Sequence, residues 1–258
     1  MKTRKVILSV GLLGFTAVFG GIWAFAAEAD GCVGCHGDPG LKVKSKKLHD
    51  YFQSWKGSVH EKAKLGCADC HGGDATASEK AAAHAGILPP SDEKSRLHYR
   101  QVPETCGSCH QSVYDQFVKS KHYKKLRKEG TAPNCVTCHG SMNSRTDEKE
   151  ILAASCRSCH NKETGNRPEI VTQAEKIIER LSYAEGYRKW AKFYYKSIGK
   201  SEKLDTIDPL YENILTGWHS FDFRQVDWDS RKLLFEVKTL FEALSAERSK
   251  NETEKSGE

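Results

Sequence analysis

Cys32-Val33-Gly34-Cys35-His36 decides how this chain is read, because the pattern returns four times: Cys67-Ala68-Asp69-Cys70-His71, Cys106-Gly107-Ser108-Cys109-His110, Cys135-Val136-Thr137-Cys138-His139 and Cys156-Arg157-Ser158-Cys159-His160. The five blocks use all ten cysteines. A lone C-x-x-C suits a redox dithiol or half of a zinc site. Histidine is only 11 of 258 residues, so its presence after all five pairs has a chance probability on the order of one in ten million. A zinc ribbon has no need of those histidines, and a disulfide framework would not hold every pair at one spacing. C-x-x-C-H is the attachment sequence of c-type haem. The two thiols of each block form thioethers, and His36, His71, His110, His139 and His160 become the proximal iron ligands. The expected cofactors are five covalently bound haem c groups.

Such attachment takes place outside the cytoplasmic membrane, so the chain is expected to be exported to the periplasm or the outer face of that membrane. Lys2, Arg4 and Lys5 form a positive start, the stretch from Val6 to Ala27 carries no charge, and Ala24-Phe25-Ala26 gives a cleavage pattern. Residues 1–26 thus read as a signal peptide. The same stretch is long enough to span a bilayer, and Trp23 sits where an interfacial aromatic would sit, so an uncleaved anchor giving membrane association is the alternative. Loss of the three early cations and the gain of two propionates per haem turn the formal charge of +6 negative. The basic sequence therefore gives no support for nucleic-acid binding. The lysines between Lys42 and Lys47 and between Lys119 and Lys128 are expected to neutralise propionates or form solvated faces, with docking of an acidic partner as the alternative.

Residues 27–160 form the expected pentahaem domain. So few residues per haem cannot enclose each one in a side-chain core, so the porphyrins must supply much of the buried apolar area. Short helices, long loops and almost no sheet are predicted. Gly37, Gly72, Gly73 and Gly140 are expected to turn the chain sharply after proximal ligands. An internal repeat is visible: Trp55-x-x-Ser58-x-His60 precedes Cys67, and Phe117-x-x-Ser120-x-His122 precedes Cys135. It suggests two dihaem modules, Cys32 to Gly72 and Cys106 to Gly140, joined by a connector from Ala75 to Pro90, with the Cys156 motif as an addition.

Residues 161–258 form a haem-free region in which helical periodicity dominates. Ile170, Ala174, Ile177, Leu181, Ala184, Ala191, Tyr194 and Ile198 mark one long helix. Asp208-Pro209 opens a second. Leu233, Val237, Leu240, Phe241 and Leu244 mark a third, with Asp227 or Asp229 as its cap and Asn251 to Glu258 as a frayed tail. A helical hairpin or bundle is expected, acting as a scaffold against haem edges or as a homodimer interface. The fold class is therefore mainly α with extensive loops, organised by haem packing and completed by these C-terminal helices.

Six histidines remain as distal-ligand candidates: His60, His122, His84, His98, His219 and His49. The first two stand in the repeat. His84 lies among alanines, His98 precedes Cys106 beside Tyr99, His219 stands in an aromatic patch where packing is the competing role, and His49 follows two lysines. Apart from Met1 only Met142 could ligate as methionine, so low potentials are expected.

The blocks CxxCH, aromatic-x-x-S-x-H and CxxCHG resemble the dihaem modules of the small tetrahaem cytochromes of nitrogen metabolism, within the multihaem cytochromes c. The N-terminal layout is more weakly similar to the NapC/NirT family of membrane-anchored quinol dehydrogenases. The first resemblance implies electron transfer through closely packed, mostly bis-histidine haems, with His60 and His122 at matching distal positions and redox proteins as donor and acceptor. The motifs are unmodified C-x-x-C-H, so the expectation is an electron carrier and not an enzyme. A quinol dehydrogenase, or a small redox enzyme acting on nitrogen or sulfur oxyanions, is the alternative.

Overall fold

A computed structural model describes residues 30–144, 149–200 and 204–256. The proposed signal peptide or anchor lies outside the described residues. The described chain is mainly helical and contains no strand, in line with the expected fold class. No helix among the described residues is long and apolar enough to cross a membrane.

Among the described residues of the front portion there are eleven helices: α1 (Gly31–His36), α2 (Leu41–Lys44), α3 (Lys46–Trp55), α4 (Val59–Lys62), α5 (Cys67–His71), α6 (Lys80–Ala83), α7 (Val102–Gly107), α8 (Gln111–Phe117), α9 (Lys121–Glu129), α10 (Cys135–His139) and α11 (Lys149–Arg157). Most are one or two turns long, too short to persist without outside support. Side-chain caps compensate in part. Asp30 accepts from the Cys32 and Val33 amides at the start of α1. Asp69 accepts from the Gly66 amide ahead of α5. Asn134 and Thr137 cap α10 reciprocally.

The conventional core lies elsewhere. It is built by α12 (Glu169–Ser197), α13 (Ile207–Gly217) and α14 (Phe223–Ser256). Ile177, Leu181, Ala184, Ala191, Tyr194, Leu233, Val237 and Leu244 are buried together there. By contrast, the motif-bearing portion buries few large apolar side chains, chiefly Phe52, Phe117 and Leu126. That is the distribution expected if a cofactor supplies the missing apolar surface.

The tail is a three-helix arrangement, not a hairpin. Arg180 meets Asp227, Tyr187 and Trp190 meet Phe241, and Lys200 meets Glu247, so α12 and α14 run parallel. α13 runs back alongside them, with Arg188 holding Asp208 at 2.6 Å and Glu185 at 2.7 Å. The expected caps of the third helix are corrected: α14 begins at Phe223, and Asp222, not Asp227 or Asp229, precedes it and accepts from Gln225. Asp227 instead pairs with Arg180 and Arg231, one from each side. The polar end is also corrected, since helix continues to Ser256 because charged i, i+4 pairs such as Arg248–Glu252 suit it. Ile198 lies past the end of α12 and is exposed.

Candidate functional site

The motifs take two local forms. In α1, α5 and α10 both cysteines and the histidine fall within one short helix. In the third and fifth motifs the first cysteine lies in the last turn of a helix, α7 or α11, and the second falls two residues past its end. Gly72 and Gly140 follow their histidines with φ of 78° and 77°, the left-handed region where a side chain is strained. Gly37 differs from the expected turn. Its φ is −83°, and the glycine is needed for closeness: a Cβ there would lie 2.6 Å from the Val33 carbonyl oxygen and 3.0 Å from the Phe52 ring.

Consecutive motifs are neighbours in space. Cys67 lies within electrostatic reach of Cys32, and Cys70 within reach of Cys106 and Cys109. The Cys135 thiol donates to the Cys106 sulfur, which pushes Cys135 up and Cys106 down. Cys138 and Cys156 are neighbours in turn. Burial pushes the Cys67 and Cys156 thiols up to about 11. Such thiols stay protonated, the opposite of what a catalytic dithiol needs.

Four of the motif histidines face a second imidazole. The ring centroids of His36 and His84 are 6.2 Å apart, and those of His60 and His110 are also 6.2 Å apart. His122 and His160 are 6.0 Å apart, as are His139 and His219. A metal–imidazole bond is about 2 Å and a ring nitrogen stands roughly 1 Å from its centroid, so two imidazoles sharing one metal ion have centroids about 6 Å apart. All four pairs meet that separation. Among the described residues no group of three His, Cys, Asp or Glu side chains gathers as a protein-only metal site would require. Two imidazoles per centre suit a porphyrin iron, whose other four positions the macrocycle fills.

The rings are oriented by their Nδ1 atoms. His84 Nδ1 donates to the Lys80 carbonyl at 2.8 Å, His160 Nδ1 to the Asn166 carbonyl at 2.8 Å, and His219 Nδ1 to the Leu215 carbonyl at 3.0 Å. A carbonyl can only accept, so Nδ1 carries the proton and Nε2 keeps its lone pair for a metal. Burial first, and the facing imidazole second, lower the pKa of His60, His122 and His219, which keeps these rings neutral and competent to ligate at neutral pH.

The repeated Ser-x-His block has a local cause. Ser58 and Ser120 are buried N-caps whose hydroxyls accept from the Glu61 amide at 3.2 Å and the Tyr123 amide at 3.0 Å. Each block thus places its histidine at the second position of a new helix, α4 or α9. His60 faces the third motif and His122 the fifth, so neither faces a histidine within the module assigned to it from sequence. The repeat is real, but its partners cross the expected module borders. The remaining candidates, His49 and His98, stand apart from the four pairs. Both are partly buried; His98 Nδ1 has no hydrogen-bond partner, whereas His49 Nδ1 lies 3.5 Å from Asp50 Oδ1. Arg96 donates to the Asp69 carbonyl at 3.0 Å, which brings the turn carrying His98 beside the second motif.

A cavity of about 2060 Å³ joins the third, fourth and fifth motifs and is roofed by α12, α13 and the turn at His219. A single small-molecule site is about 300–1,000 Å³, so this space suits several macrocycles together. Lys119, Lys121 and Lys125 line it, where they can meet propionates. Phe221, from the tail, stands edge-on to His122 at 4.5 Å. Sequence reasoning missed Ser144, whose hydroxyl lies 3.1 Å from His60 Nδ1; no sequence signal marks it.

No family model matches the chain, and no solved structure matches it. It is similar to the multiheme cytochrome MtrA of Shewanella baltica (strain OS185), with 28% identity over 135 residues. The matched stretch is 52% of this chain and 32% of the relative, so the chain spans about a third of the relative's length. That likeness supports a multihaem cytochrome family.

Proposed function

We propose that this chain is an exported pentahaem c-type cytochrome that transfers electrons between redox partner proteins and carries out no bond chemistry. The observation that carries the reading is the set of four imidazole pairs at 6.0–6.2 Å, each containing one C-x-x-C-H histidine. Bound there, haem c supplies one-electron iron chemistry. The cysteines would tether it, and the pairs His36/His84, His110/His60, His160/His122 and His139/His219 would hold its iron. His71 remains for the second motif, and His98 is its proposed partner because Arg96 anchors the neighbouring turn to that motif. The proximity of each motif to the next supports a chain of centres in sequence order. Export follows from the attachment chemistry, and residues 1–26 are its proposed signal.

The deciding experiment is low-temperature EPR on the mature holoprotein, with a pyridine haemochrome assay to count haems. Five low-spin irons bear out the carrier. A high-spin iron that binds nitrite or cyanide would convert the reading to an enzyme, with the second motif as its site. Fewer than five haems would remove the pentahaem assignment.

A further inference from the structure

Three of the four facing imidazoles, those of His84, His219 and His60, are held at Nδ1, in two different ways. His84 and His219 each bond a carbonyl of their own preceding turn, so their orientation is local. His60 has no such carbonyl: its Nδ1 meets the Ser144 hydroxyl at 3.1 Å, across most of the motif-bearing portion. Ser144 stands in the turn that leaves the fourth motif directly after His139. Gly140 opens that turn at positive φ, and a Cβ on it would lie 2.6 Å from Asn143 Oδ1. Ser144 itself has φ of 43°, a conformation costly for a residue other than glycine, asparagine or aspartate. The segment following one proximal ligand is therefore folded back, in a strained conformation, to reach the distal ligand of a neighbouring centre.

We infer that Ser144 is a positioning residue that sets the axial field of the third centre and links it to the fourth. The inference rests on the proposed His60–His110 ligation. With Nε2 given to a metal, His60 Nδ1 must carry the proton, so the Ser144 oxygen accepts it. Accepting that proton makes the imidazole a stronger donor, which favours the oxidised metal and lowers the potential of that centre. Loss of the hydroxyl should raise it, and should let the His60 ring turn, altering the low-spin g-values.

The test is potentiometric EPR on the holoprotein, with the third centre identified by subtracting the spectrum of a His60→Ala variant. Ser144→Ala and Ser144→Gly should both raise its potential, by about a tenfold change in the reduction equilibrium, or 59 mV for one electron. Ser144→Asn should return it toward the parent value, because asparagine tolerates the left-handed region and offers an acceptor oxygen. Glycine separates the possibilities: it relieves the strained backbone but has no hydroxyl. If Ser144→Gly keeps the parent potential and g-values, Ser144 only shapes the turn and the inference fails. If instead His60→Ala leaves every iron low-spin, the ligation beneath it is wrong, a distinguishable failure.

Discussion

His219, on the turn after α13, faces His139 with centroids 6.0 Å apart and ring planes 27° from parallel. The tail thus contributes an imidazole to the candidate site as well as covering it. His219→Ala should convert one low-spin iron to high-spin while helix content stays unchanged, because the α12–α14 core does not depend on that ring. EPR beside far-ultraviolet circular dichroism checks this; an unaltered low-spin count would remove His219 from the ligand set.

Under the proposed ligation, His98 and not His49 serves the second motif. His98→Ala should produce one high-spin iron, and His49→Ala should not, since Arg96 ties only the His98 turn to Asp69. The reverse pattern in the visible and EPR spectra would transfer the assignment to His49.

Ser120 is almost fully buried and caps the helix that carries His122. Ser120→Ala should cost about 1 kcal/mol, the usual loss for an N-cap hydroxyl, and lower Tm by about 2–4 °C. It should also broaden the EPR signal of the centre shared with His160. A calorimetric scan that matches the parent would show that the cap contributes nothing.

Asp227 links α14 to α12. The hydrogen bond from Arg231 lowers its carboxyl below the usual 3.8, burial opposes this, and Arg180 adds to the lowering. Because the folded value is depressed, its stabilisation is present above pH 3.8 and is lost as pH falls through the lowered value. Asp227→Asn should therefore be less stable than the parent at about pH 6, with the difference closing in strong acid and shrinking in high salt. Urea melts at both pH values check it; a gap that persists in acid would mean the pair acts through shape and not through charge.

Much of the tail was legible because apolar periodicity over a long helix is a local signal. Ile177, Leu181 and Ala184 are buried as the spacing predicts, and so are Leu233 and Leu244. The parallel course of α12 and α14 was not legible, since no local residue reports which neighbour a stripe will meet. The cap was missed for a related reason: Asp227 looks like a helix start in sequence, yet its carboxylate is occupied by Arg180 from another helix.

The attachment motifs can be read from the chain alone. Two thiols and one imidazole per motif lie within five consecutive residues, so no folding is needed to recognise them. The internal repeat also marked Ser58 and Ser120, though not their role as helix caps. That His84 turns back to the first motif, that His60 faces the third and His122 the fifth, and that the tail brings His219 to the fourth emerges only from the folded chain. A facing pair of imidazoles is a distance between two segments, and that distance exists only once the chain between them has folded.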